Sequence, residues 1–87
     1  MTTTDLLSNL SSLIEQFEGE SRVERAATKA EITKICARLE NTQGVADRPR
    51  WKELVERVRG YAKGQRDYIS ARNAVLLLEE MNALRES

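Results

Sequence analysis

Leucine, isoleucine and phenylalanine recur at helical spacing through the first part of the chain. Leu6, Leu10, Leu13 and Phe17, widened by Leu7 and Ile14, follow i, i+4, i+7, i+11 and predict one amphipathic helix over about residues 4–18. Thr3 or Thr4 is placed to cap it, and Asp5 suits the positive end of the helix dipole. The stripe fails at Glu18-Gly19-Glu20-Ser21, because its next positions are Glu20, Glu24 and Glu31. Ser21 and Glu24 have the spacing of a capping box, so a second helix is expected over 21–42. One continuous helix from about 4 to 42 is the rival reading, since Ile32, Ile35 and Leu39 return to roughly the first face.

The second segment carries Val23, Ala26, Ala27 and Ala30 on one side and Ile32, Ile35, Cys36 and Leu39 on nearly the other. Two apolar sides call for two packing partners, inside the fold or in a second copy of the chain. Gly44 is a natural left-handed stop, and Asp47-Arg48-Pro49 a natural start. Trp51, Leu54, Val55, Val58 and Ala62 then predict a helix over 48–63, with Glu53 and Arg57 paired at i, i+4. Gly60 and Gly64 weaken a helix, and the apolar face turns by roughly 130° between Trp51/Val58 and Ala74, Leu77, Leu78 and Met81. Either the helix bends between Gly60 and Ser70, with Asp67 restarting it over 67–85, or this stretch is buried on two sides. The expected fold is all-α: one domain over 1–87, a small bundle of three to four helices (about 4–18, 21–42, 48–63 and 67–85).

Eighty-seven residues leave room for a single thin core, and with one Trp, one Phe and two Tyr it must be mostly aliphatic. The one cysteine, Cys36, cannot form an intramolecular disulfide, which favours a reducing compartment. The opening Met1-Thr2-Thr3-Thr4-Asp5 lacks the basic residues of a secretory signal, and the longest apolar run, Ala74 to Leu78, is far short of a membrane span. A cytoplasmic location, in a cell or in the host cell of a virus or phage, is the expectation.

Charge changes the picture more than composition does. The net is zero, yet residues 48–72 hold eight Lys/Arg against three Asp/Glu, flanked by acidic segments. Segregated charge of this kind favours self-association or a charged partner. Lys52, Arg59, Lys63 and Arg66 fall within about 40° on a helix, joined by Arg48 and flanked by Tyr61 and Tyr68. These seven are the candidate macromolecule-binding residues. Phosphate contact with aromatic stacking is one use for them; an outward or intersubunit face pairing with an acidic surface is the other. The candidate self-association set is Val23, Ala27 and Ala30 with the acidic Glu20, Glu24 and Glu31.

Candidate chemistry is sparse. The chain has no histidine, which removes the commonest general base and metal ligand. A lone Cys without His supports neither a structural zinc site nor a Cys–His nucleophile. No glycine-rich phosphate loop, calcium loop or nucleophile elbow is present. No catalytic, cofactor-binding or metal-binding residue is assigned, and no membrane or small-molecule substrate is expected. The function read from the sequence is a non-catalytic protein-binding module, an adaptor, chaperone or inhibitor of a larger protein, that self-associates as a homodimer. A small DNA- or RNA-binding protein using 48–72 is the alternative.

Overall fold

Thr2 opens the first helix. Its hydroxyl accepts from the Asp5 N–H at 3.1 Å, and its own N–H donates to the Asp5 carboxylate at 3.3 Å. This reciprocal cap sits just ahead of the Thr3 or Thr4 expected from sequence, because only Thr2 has an acid three residues on. A computed structural model describes residues 2–42 and 48–86. They form α1 (Thr3–Gly19), α2 (Arg25–Leu39), α3 (Arg48–Ala62) and α4 (Tyr68–Glu86). The Gly44 stop and the Asp47 start lie outside the described residues.

The break between α1 and α2 falls at Gly19, so the single long helix is not formed. The Ser21–Glu24 capping box does not close on the backbone. Glu24 is already in the helical region, and the Ser21 hydroxyl donates to the Glu24 side chain at 2.9 Å instead. Arg25 does the fastening. Its guanidinium donates to the carbonyls of Phe17 (2.9 Å) and Glu18 (3.3 Å) and lies 4.8 Å from the centre of the Phe17 ring. It thereby covers orphan carbonyls at the end of α1 while fixing the start of α2.

α2 stops at Leu39, three residues before the expected end. The Leu39 carbonyl accepts from the Thr42 hydroxyl (2.9 Å) and from the Trp51 indole (2.5 Å), so the chain turns here. Trp51, fully buried, thus ties the start of α3 to the end of α2.

Between α3 and α4 the chain does break, as two helices and not one bent one. Gly64 has φ +81°; its N–H donates to the Tyr61 carbonyl (3.0 Å) and the Gln65 N–H to the Gly60 carbonyl (2.8 Å). This is a Schellman stop, which needs the left-handed residue that glycine supplies. Asp67 then caps α4 by accepting from the Ser70 N–H at 2.7 Å.

Each helix packs against its neighbours in sequence, and α4 closes the ring on α1. Asn82 donates to Thr4 at one end of the α1–α4 pair and Tyr68 to Glu15 toward the other, so these helices are antiparallel. The core is built from Leu7, Leu10, Ile14, Ile32, Leu39, Val55, Val58 and Leu78 around Trp51. Each such side chain contributes about 1.5–3 kcal/mol on burial. α2 uses one side only: Ile32, Ile35, Cys36 and Leu39 face inward, whereas Ala26, Ala27 and Ala30, like Val23 in the turn before the helix, face solvent. Among the described residues no helix is long and apolar enough to cross a membrane.

Candidate functional site

The basic stripe read from the sequence separates into three parts. Arg48 and Lys52 are exposed at the start of α3. Arg59, in the middle, turns toward α2 and is largely covered: it contacts the Glu40 carboxylate at 2.5 Å and Glu56 at 2.8 Å. The hydrogen bond from Arg59 holds the Glu40 carboxyl below its ordinary range, and the same bond raises the Arg59 guanidinium. Lys63 and Arg66 stand exposed in the turn after α3. There they meet Arg22 of the α1–α2 turn and Arg25 and Lys29 of α2, lining one open groove.

Tyr61 belongs to the interior of that end, and the half-buried Tyr68 packs against it. Tyr61 is 5% exposed, its ring edge-on to Phe17 (centroids 5.1 Å) and to Tyr68 (6.2 Å). Its hydroxyl donates to Glu18 at 2.6 Å, and the Tyr68 hydroxyl to Glu15 at 2.8 Å. Burial, then the bond to Glu18, pushes the Tyr61 phenol above its ordinary value. The bond to Glu15 leads the same shift in Tyr68. The Tyr61 ring offers no open face for stacking, whereas the Tyr68 ring is only half-buried.

Of the acidic set, Glu20 accepts from the Thr28 hydroxyl and from Gln16, and Glu24 accepts from Ser21. These two therefore satisfy local donors, while Glu31 remains exposed. Ala27 and Ala30 face outward on α2, and Val23, 87% exposed, lies in the turn just before it.

A further surface lies on α4. Its inner face is Ala71, Ala74, Val75, Leu78 and Asn82, yet Ile69 is 67%, Leu76 50% and Leu84 77% exposed. Ile69, Leu76 and the exposed Ala83 are spaced by seven and fall within about 40° of one another. The seven-residue spacing was legible in the sequence. The stronger Ala74–Leu77–Leu78–Met81 stripe, on the other side of the same helix, outweighs it in the sequence.

Cys36 is fully buried, and burial pushes its thiol up to about 12, so it stays protonated and enclosed. Among the described residues no group of three His, Cys, Asp or Glu side chains could hold a metal ion. No protein-family description, curated protein or solved structure matches the chain.

Proposed function

We propose that this chain is a non-catalytic helical interaction module, an adaptor, chaperone or inhibitor of a larger protein, that works as a homodimer joined through α4. The observation that carries the reading is the self-complementary outer face of that helix. Two copies of α4, antiparallel about a two-fold axis at Leu76, set Leu76 against itself, Ile69 against Ala83, and Arg72 against Glu80. Apolar positions thus meet apolar ones and opposite charges meet, which is what a two-fold interface requires of one patch. The outward side of α2 offers only alanines beside Val23 of the preceding turn and buries less apolar surface per residue.

The nucleic-acid reading draws less support. Arg59 is neutralised within the fold and both tyrosines are committed to carboxylates.

Light scattering coupled to size exclusion tests the dimer. The expected mass is twice the 9.9 kDa of one chain, falling to 9.9 kDa for Leu76→Glu. Arg72→Glu should weaken the dimer, and adding Glu80→Arg should restore it, since the pairing is reciprocal. A wild-type chain that stays at 9.9 kDa at every concentration overturns the reading.

A further inference from the structure

The turns that join α1 to α2 and α3 to α4 lie at the same end of the bundle, because both connect antiparallel neighbours. Between them opens a groove of about 730 Å³. Five cations line it: Arg22, Arg25, Lys29, Lys63 and Arg66; the only acids there are Glu18 and Asp67. Both acids have other work. Glu18 accepts from Tyr61, and Asp67 caps α4. Among the described residues, the ion pairs are Arg57 with Glu53 and Arg59 with Glu40 and Glu56, so none of the five groove cations is neutralised within the chain. Arg25 is held by main-chain carbonyls and the Phe17 ring; the other four are exposed.

An unneutralised cluster of this kind in a chain of zero net charge fits an anionic occupant. Three features select an acidic polypeptide over a nucleic acid. Of the aromatic rings lining the groove, Phe17 is 7% and Tyr61 5% exposed, and the half-buried Tyr68 has its hydroxyl bound to Glu15, so successive bases find no row of open rings to stack on. The α1–α2 turn carries a strongly exposed aliphatic side chain, Val23 at 87%, next to Arg22 of the lining, which a phosphate backbone cannot use and peptide side chains can. The Glu18 and Asp67 carboxylates interrupt the positive lining, which opposes an unbroken run of phosphates more than a peptide whose acids are spaced by apolar residues.

We propose that this groove docks an acidic segment of a partner protein, with aliphatic residues interleaved among its carboxylates. The bundle is 24 Å across on its intermediate axis, a span that about seven extended residues cover. This site is separate from the α4 dimer face and does not rest on it.

Fluorescence anisotropy with a labelled synthetic peptide alternating Glu and Leu tests the proposal. A Gln-for-Glu version of the peptide and a single-stranded DNA oligonucleotide of equal charge serve as comparisons. The acidic peptide should bind at least about tenfold more tightly than either, and weaken as salt rises from about 50 to 200 mM. Arg22→Glu combined with Lys63→Glu and Arg66→Glu should lower affinity at least about tenfold, as expected for losing several rim charges. Lys34→Glu, an exposed cation on α2 outside the groove, should change it by less than about twofold. Circular dichroism checks that the helices persist; if the triple variant loses them, Arg66→Glu alone is read against Lys34→Glu. Peptide binding should be unchanged by Leu76→Glu, which separates this site from the dimer. Tighter binding of the oligonucleotide, equal losses in the groove variants and Lys34→Glu, or no binding at about 50 mM salt each overturns the proposal.

Discussion

The phenol of Tyr61 donates to the carboxylate of Glu18 at 2.6 Å, tying the end of α3 diagonally to the end of α1. A ring buried against Phe17 thus has its one polar atom satisfied by a charge at the surface. Tyr61→Phe is expected to lower stability by about 1 kcal/mol at neutral pH, a typical net value for a hydrogen bond of this kind. The phenol is raised in the fold, so its contribution is complete below its ordinary value of 10.0 and is lost as pH climbs from there toward the folded value. Thermal melts above pH 10.0 should therefore fall more steeply in the wild type than in Tyr61→Phe.

Arg59 and Glu40 couple α3 to α2 across a half-covered surface. Arg59→Gln is expected to cost about 1 kcal/mol in urea unfolding, with solvent screening holding the figure down. Glu40 is lowered in the fold, so its contribution is present above its ordinary 4.5 and is lost as pH drops through the folded value. The variant should consequently show a flatter loss of stability below pH 4.5, read as the acid limb of the melting curve.

Two glycines should respond in opposite directions to alanine. Gly64 is left-handed at φ +81°, so Gly64→Ala should cost about 1–2 kcal/mol although nothing lies near its missing side chain. Gly19 ends α1 without a positive φ and with open space beside it, so Gly19→Ala should stabilise by about 0.4–1 kcal/mol. Denaturation midpoints of the two variants should move to either side of the wild type.

Trp51→Phe removes the indole donor from the Leu39 carbonyl and leaves a gap in the core. A loss of about 2–3 kcal/mol is expected, combining the hydrogen bond with the missing ring volume. Hydrogen exchange should show the extra opening first at the end of α2, whose last carbonyl the indole holds.

Asn82 is 4% exposed; its amide donates to Thr4 at 3.0 Å while its Oδ1 has no partner among the described residues. Asn82→Leu removes that orphan acceptor at a core position and should raise stability by about 1 kcal/mol. A fall in the melting temperature would show that the Thr4 bond outweighs the orphan.

What the sequence determined by itself was the all-α class, the segments that become helical and the inward residues of α1 and α3, while the choice between three and four helices was left to the structure. The class, segments and inward residues follow from local rules, a 3.6-residue period and the capping habits of Gly and Asp, which act within one turn of chain. It missed which cap is used at Thr2 and at Arg25, because those choices turn on single hydrogen bonds between near-equal candidates. It joined Arg59 to Lys63 and Arg66 as one basic stripe, since spacing on one helix carries no record of the neighbouring helix. Only the tertiary structure set Glu40 beside Arg59, buried Tyr61 against Phe17, and brought Arg22 of the α1–α2 turn and Lys29 of α2 to the same groove as Lys63 and Arg66. Those contacts join residues far apart in sequence, and they exist only once four helices have packed around Trp51.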